Sequence, residues 1–237
     1  MEIRAVIFDF RDTIIDVKPT FRARDIAVFR FLEKKGYEMS RQEVSSNIAK
    51  SVASMKKEVS GTAKAYDFDF LLREFLKISK IKLDERAFKG MHKAYFDAFY
   101  RNIRLYKEAI ETLKFLSTNG YKLGLVIDGN PEIEINIIEG FGLSRFFDSI
   151  VISEQVGHGK STAIPLKRCI EDLKMNPKRI LVIGDRMDKD IRPANRLGAV
   201  SVRLVRSSGR YSAQQVKSGL DRPKFTIRNL SGIKRLL

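Results

Sequence analysis

Short apolar stretches alternate with amphipathic stretches along most of the chain. Three apolar stretches carry an aspartate at or near their end, and each is typical of a buried parallel strand. These three are residues 4–10, 122–128 and 179–185, and weaker strand patterns follow at 149–152, 200–205 and, as an edge strand, 225–227. Helical patterns lie between them at 107–117, 164–173 and 191–197. This order predicts an α/β fold with a doubly wound, mostly parallel, Rossmann-like sheet.

Residues 17–104 interrupt the alternation, because they show helical patterns only. Four amphipathic segments predict an inserted all-α four-helix domain. Ser40 and Glu43 have the spacing of a capping box at the start of the second helix, and Ser60-Gly61-Thr62 is a predicted turn. An aromatic stripe on the fourth helix is interpreted as the internal core of this domain. We therefore predict two domains, an α/β core of residues 1–16 and 105–237 and a helical insert of residues 17–104.

Composition limits the chemistry and the location of the protein. The chain has 237 residues, with one cysteine and two histidines, so an internal disulfide and a His/Cys metal cluster are excluded. Any metal would be held by oxygen ligands. No apolar run approaches the roughly 18–20 residues that cross a bilayer, and the N-terminus leads directly into a strand pattern. We expect a cytoplasmic protein without a membrane segment.

Positive charge is concentrated in two segments. The formal net charge is +16, of which residues 17–104 carry +9 and residues 203–237 carry +8, whereas the rest of the chain is close to neutral. One interpretation is a well-solvated surface. The other is attraction of an anionic ligand, either a small phosphorylated compound or, less favoured by this sequence, nucleic acid.

The predicted strand ends bring acidic residues together. In open α/β sheets, ligands bind at the carboxyl ends of the strands near the point where strand order reverses. Asp9 and Asp185 would meet there and form an oxygen-only site suited to Mg²⁺. Lys160 follows a glycine-bearing turn after the third core strand and would place an ammonium beside them. Such a set suits phosphoryl transfer, with Asp9 as the nucleophile.

In this order, the residues resemble the haloacid dehalogenase-like (HAD) hydrolase superfamily over nearly the whole chain. Residues 5–13 look like the first family motif, a strand ending in Asp-x-Asp-Gly-Thr, and Lys160 matches the lysine of the third motif. Residues 184–190 look like the fourth motif, a Gly-Asp pair followed by a second acid. The helical insert sits where the family places a C1-type cap. Three cationic residues near the start of this cap are candidate substrate contacts, namely Lys18, Arg22 and Arg24.

The resemblance implies a role for each matching residue. Asp9 would form an aspartyl-phosphate, steadied by Lys160, and Mg²⁺ would be held by Asp9, Asp185 and the backbone carbonyl of Arg11. Ile127 stands where the family has a phosphate-binding Ser or Thr, so we expect the backbone amides of Asp128 and Gly129 to contact the phosphate in its place. The supporting residues would be Asp12, Thr13 and Asp190.

Two family motifs are altered in this chain. Where family phosphatases carry a second aspartate as general acid and base, this chain has Arg11, which stays protonated near neutral pH. The glycine of the same motif is Asp12, a residue that tolerates a left-handed turn. At the end of the second core strand, Ile127 replaces the expected phosphate-binding Ser or Thr.

Three functions remain open at this stage. The first is a slow or unusual Mg²⁺-dependent phosphatase for a small phosphorylated compound, with Asp12 or a water in place of the missing acid. The second is a catalytically degenerate module that binds a phosphorylated ligand, a protein or nucleic acid, with Arg11 paired to Asp9 and Asp185. The third is another reaction of the superfamily, such as dehalogenation.

Overall fold

The described chain separates into two compact units. The computed structural model describes residues 2–58, 67–207, 209–216 and 219–237. Within these residues, a core unit comprises 2–16 and 105–237, and a helical unit comprises 17–58 and 67–104. The predicted turn Ser60-Gly61-Thr62 lies outside the described residues.

A six-stranded sheet forms the centre of the core unit. Its strands are β1 (Ala5–Phe8), β4 (Lys122–Ile127), β5 (Ser149–Ile152), β6 (Ile180–Gly184), β7 (Val200–Leu204) and β8 (Phe225–Ile227). They lie in the order β5-β4-β1-β6-β7-β8, and every neighbouring pair is parallel. Two short strands, β2 (Ile15–Asp16) and β3 (Arg104–Leu105), form a separate two-stranded sheet. The predicted fold class is confirmed.

Strand order determines where a ligand site can form. The chain adds β4 and β5 on one side of β1 and then returns to add β6, β7 and β8 on the other side. The order therefore reverses between β1 and β6, and a crevice opens there at the carboxyl ends of the strands. The amide of Asp9, just past β1, donates to the carbonyl of Ile183 in β6 at 2.8 Å. The nucleophile candidate thus lies at the reversal point.

Four helices connect the strands of the core unit. They are α5 (Ala109–Thr118), α6 (Pro131–Gly140), α7 (Ile164–Leu173) and α8 (Arg192–Arg196). α6 is absent from the predicted helices, although Asn130 caps it and Pro131 occupies its first turn. The predicted helix at 191–197 is shorter than expected, because a π-helical turn covers Met187–Ile191. Among the described helices, none combines the length and apolarity that a bilayer crossing requires.

The helical unit contains the four predicted helices, α1 (Lys18–Lys34), α2 (Arg41–Glu58), α3 (Phe68–Ile78) and α4 (Glu85–Asn102). The capping box is present, since Ser40 and Glu43 each accept a hydrogen bond from the other's amide. The aromatic stripe of α4 is buried within the unit.

The guanidinium of Arg24 lies 5.0 Å from the centre of the Tyr95 ring, and Arg24 is buried. This burial argues against the expected role of Arg24 as a substrate contact.

A substitution of Gly124 can test how closely the sheet packs against α7. A Cβ at this position would lie 2.5 Å from the sulfur of Cys169 and 3.0 Å from Ile7. Because the core is close-packed, Gly124→Ala should lower the free energy of unfolding by about 1–3 kcal/mol, measured by chemical denaturation. The matched control is Gly140→Ala, where no atom lies within 4 Å of the new Cβ. An equal loss in both variants would contradict this account.

Candidate active site

Lys160 connects two acidic residues at the carboxyl edge of the sheet. Its ammonium donates to Asp9 Oδ1 at 2.5 Å and lies 2.7 Å from Asp190 Oδ1. The lysine is 5% exposed. Burial alone would lower the pKa of Lys160, but the carboxylates of Asp190 and Asp9 outweigh it, so the pKa is raised. Lys160 is therefore a permanently charged bridge within the site.

The loop after β6 is shaped by a glycine. A Cβ on Gly184 would lie 2.3 Å from the carboxyl group of Asp190, so only glycine leaves room for that side chain. Oδ2 of Asp190, the oxygen that Lys160 does not contact, accepts a hydrogen bond from the backbone amide of Arg186 at 2.9 Å. The Gly-Asp pair and the later acid of this motif are thus parts of one packed turn.

Three carboxylates form a cluster that suits a hard cation. Asp9, Asp185 and Asp190 each offer an oxygen, and these oxygens all lie within 4.8 Å of one another. Burial raises the pKa of Asp185, and the nearby charges of Asp9 and Asp190 raise it further. Asp9 Oδ2 and Asp185 Oδ2 are buried with no hydrogen-bond partner in the part of the chain that the structure describes. Unsatisfied carboxylate oxygens in a crowded acidic cluster fit Mg²⁺ or a similar ion.

Asp128 and Gly129 make contacts that differ from the prediction. Asp128 Oδ1 accepts from the backbone amide of Lys160 at 2.8 Å, and Oδ2 accepts from Lys189 Nζ. Its negative charge is therefore paired and helps to position Lys160. The amide of Gly129 donates to Ser153 Oγ at 3.1 Å, so in this arrangement it is already engaged rather than directed at a phosphate.

Arg11 forms an ion pair that the sequence analysis did not foresee. Its guanidinium Nη2 donates to Oε1 of Glu134, a completely buried residue on α6. The expected pairing of Arg11 with Asp9 and Asp185 is thus replaced by a pairing with Glu134. A Cβ on Gly129 would lie 2.4 Å from Glu134 Oε1, so the glycine makes space for this carboxylate. Burial raises the pKa of Glu134, and the charge of Arg11 opposes that effect.

The loop after Asp9 is held by an arginine from the basic C-terminal segment. Arg206 donates to the backbone carbonyl of Thr13 at 2.9 Å and to that of Asp12 at 3.2 Å. It also donates to Glu108 at 2.8 Å and stacks on the ring of Tyr106. Asp12 has a φ of 62°, as its tolerance of left-handed turns predicts, and Thr13 is completely buried.

A family model described as haloacid dehalogenase-like hydrolase matches residues 3–198. The chain belongs to this hydrolase family. It is 32% identical over 226 residues to a glyceraldehyde 3-phosphate phosphatase of Methanopyrus kandleri, covering 95% of this chain and 93% of the relative. It is 27% identical to a phosphoglycolate phosphatase of Aquifex aeolicus, over 95% of this chain and 96% of the relative.

The fold of this hydrolase is shared with solved family members. A crystal structure of a HAD phosphatase from Thermococcus onnurineus matches with a TM-score of 0.70 and 20% identity. The match covers 99% of this chain and 97% of that one. This likeness supports the Rossmann-like fold of the core unit.

The structure of this hydrolase brings most predicted site residues to one place. Asp9, Lys160, Asp185 and Asp190 are in one cluster, and Asp128 contacts the backbone of Lys160. Two residues outside the predicted set pair with predicted site residues next to this cluster: Lys189 pairs with Asp128, and Glu134 pairs with Arg11. Lys189 lies inside the fourth motif, so its position was a usable signal. Glu134 had no such signal, because its partner is 123 residues away.

The acidic cluster predicts an unusual response to Asp185→Asn. Because the pKa of Asp185 is raised from its ordinary value of 3.8 to about 9, its carboxyl group is ionised in the native protein only above that pH, but in the unfolded chain already above about pH 4. Without divalent ions, Asp185→Asn should therefore raise the free energy of unfolding by about 1 kcal/mol or more near pH 7 and above, and change it little below about pH 4. Mg²⁺ that binds only the folded state should raise the free energy of unfolding of the native protein, by about 2.7 kcal/mol when the free Mg²⁺ concentration is 100 times Kd. The increase for Asp185→Asn should be much smaller. Thermal unfolding in EDTA and in MgCl2 measures both effects. The matched control is Asp172→Asn, on the surface of α7. If Mg²⁺ stabilises the native protein no more than it stabilises Asp185→Asn, the cation site is contradicted.

Arg206 predicts a second effect on stability. Arg206→Gln removes a largely buried cation from two carbonyls and from Glu108, so unfolding free energy should fall by about 3 kcal/mol. The control is Lys234→Gln, which breaks an exposed ion pair with Glu111 in the same basic segment and should cost less than about 1 kcal/mol. Denaturant titration distinguishes the two, and similar small losses would mean that Arg206 does not hold the loop.

Proposed function

We propose that this hydrolase is a Mg²⁺-dependent phosphatase of a small phosphorylated compound, with Asp9 as the nucleophile. The observation that carries the proposal is the state of Asp9, whose Oδ1 is held by Lys160 while Oδ2 has no hydrogen-bond partner among the described residues. One oxygen is thus oriented and the other is left for a ligand. The names of the relatives, phosphatases of glyceraldehyde 3-phosphate and phosphoglycolate, support the substrate class.

The bound cation would be held by Asp9, Asp185 and the backbone carbonyl of Arg11, with Asp190 beside them. When bound, Mg²⁺ supplies positive charge that offsets the charge of the transferring phosphoryl group. Lys160 orients Asp9 and adds a second fixed positive charge, since its Nζ lies between two carboxylates. Asp128 holds the backbone of Lys160, and Lys189 neutralises Asp128. In this proposal, the bond from an Asp9 oxygen to phosphorus forms as the bond from phosphorus to the leaving oxygen breaks.

A second candidate is a non-catalytic module of the same fold that binds a phosphorylated ligand, a protein or nucleic acid. The Arg11–Glu134 pair favours it, because a guanidinium now lies two residues after the nucleophile. The basic C-terminal segment supports it less than its +8 charge suggested. Two of the nine cationic residues of this segment, Arg206 and Arg203, donate to backbone carbonyls of the core unit. Part of that charge is therefore used inside the core unit.

A single comparison separates the two candidates. With para-nitrophenyl phosphate, the native protein should show turnover that requires Mg²⁺ and stops in EDTA. Asp9→Asn should lower kcat by about 10³-fold or more, because it removes the nucleophile without changing its size. Asp172→Asn, matched in chemistry and remote from Asp9 in the fold, should retain native turnover. Absence of Asp9-dependent turnover in the native protein would favour the binding module.

A further inference from the structure

The turn that carries Asp185 and Asp190 has a buried start that needs a hydrogen-bond partner. Within this fourth-motif turn (residues 185–191), Met187–Ile191 form a π-helical turn, a conformation that is rare in proteins and frequent at functional sites. The first amides of a helical turn have no partner inside it. Met187 is buried, and the preceding Arg186 provides no side-chain cap. The amide of Met187 therefore needs a partner from elsewhere in the fold.

Gln214 is this partner. Its Oε1 accepts a hydrogen bond from the amide of Met187 at 2.9 Å, and its Nε2 donates to Oδ1 of Asp188 at 3.1 Å. A glutamine side chain has both an acceptor and donors, so one residue satisfies the backbone and a carboxylate of the turn together. Gln214 follows Met187 by 27 residues and belongs to the segment 209–216, which lies beyond β7 in the chain.

Two consecutive amides after Asp185 are held by hydrogen bonds from different sources. The amide of Arg186 donates to Oδ2 of Asp190 within the turn, and the amide of Met187 donates to Gln214 outside it. Because these two peptide groups directly follow Asp185, their hydrogen bonds fix how the backbone leaves β6 and turns toward Asp190. The relative position of the two carboxylates therefore depends in part on Gln214.

The segment that carries Gln214 is itself anchored. Nη2 of Arg203, in β7, donates to the backbone carbonyls of Tyr211 at 2.9 Å, Ser212 at 3.2 Å and Gln214 at 2.9 Å. The guanidinium of Arg186 lies 4.6 Å from the centre of the Tyr211 ring and donates to the Tyr211 hydroxyl at 3.3 Å. The segment and the fourth-motif turn are thus joined at two points, through Gln214 and through Tyr211.

We propose that Gln214 is a positioning residue of the cation site, because it holds the fourth-motif turn in the conformation that places Asp185 and Asp190 beside Asp9. The inference rests on the proposed function, since it concerns the cation of that site, and it adds a residue that lies outside the family motifs of the chain. Gln214 acts through the backbone of Met187 rather than through contact with the ion. The segment after β7 is accordingly a part of the reactive centre.

The test is the Mg²⁺ affinity of the full-length protein, measured by isothermal titration calorimetry with MgCl2. Gln214→Ala should raise the Mg²⁺ Kd by about 10-fold, the low end of the range for residues that support metal ligands through hydrogen bonds. Gln215→Ala is the matched control, because Gln215 is the neighbouring glutamine and is exposed, and its Kd should equal that of the native protein. Each titration is carried out below the unfolding temperature of the variant, so that lost stability is not mistaken for lost affinity.

Gln214→Met separates hydrogen bonding from packing. Methionine has nearly the length of glutamine, but its thioether cannot replace the hydrogen bonds of the amide. This variant should therefore raise the Mg²⁺ Kd about as much as Gln214→Ala does. Hydrogen exchange is a second measurement that does not depend on turnover. Because coupling between two sites is reciprocal, Mg²⁺ should slow exchange of the Met187 amide in the native protein, and slow it less in Gln214→Met.

Two results would overturn the inference and leave the proposed function standing. One is an equal Mg²⁺ Kd for the native protein, Gln214→Ala and Gln215→Ala. The other is native affinity in Gln214→Met, which would mean that Gln214 only fills space. Absence of Mg²⁺ binding by the native protein would overturn the proposed function and this inference together. Mg²⁺ binding that depends on Gln214, without Asp9-dependent turnover, would support the inference and overturn the proposed function alone.

Discussion

The buried ammonium of Lys160 is the interaction on which the site depends. Asp9 and Asp185 directly follow two neighbouring strands, and Asp190 lies in the turn after the second of them. Their charges would repel one another in a region with little water. Lys160 contacts two of them and is held from behind by Asp128. Since an uncompensated buried charge is costly, loss of Lys160 would disturb the arrangement of the whole cluster. The cation that we propose would complete a neutralisation that Lys160 begins.

Arg11 places a second positively charged side chain in the same region, and Glu134 balances its charge. The guanidinium of Arg11 pairs with the carboxylate of Glu134, which lies on α6, the helix that follows β4 in the sequence. The pair preserves charge balance, yet it separates two functions that a carboxylic acid would combine. Arg11 can stabilise negative charge, but it cannot deliver or accept a proton at neutral pH. A site can therefore retain its electrostatic complementarity to phosphate while losing proton transfer.

The core strands were predictable because buried parallel strands are short apolar runs, and because the carboxyl ends of parallel strands share one edge of the sheet. That reasoning predicted that Asp9 and Asp185 would meet, as they do. It failed at α6, where alternating glutamates in residues 131–140 obscured the helical pattern. Glu134 looks like a surface residue in the sequence, and only the fold shows that it is buried against Arg11. The basic C-terminal segment was likewise evident from the distribution of charged residues in the sequence. The sequence could not show that Arg206 and Arg203 donate hydrogen bonds to backbone carbonyls of the core unit.

The contact of Arg206 with the loop of Asp12 and Thr13 joins residues 194 and 193 positions apart in the chain. Closing so long a segment of chain costs conformational entropy, so this contact forms later in folding than local contacts do. The final arrangement of the loop after Asp9 therefore depends on a segment that is remote in the sequence, and a change near Arg206 can disturb the reactive centre without touching any residue of the acidic cluster.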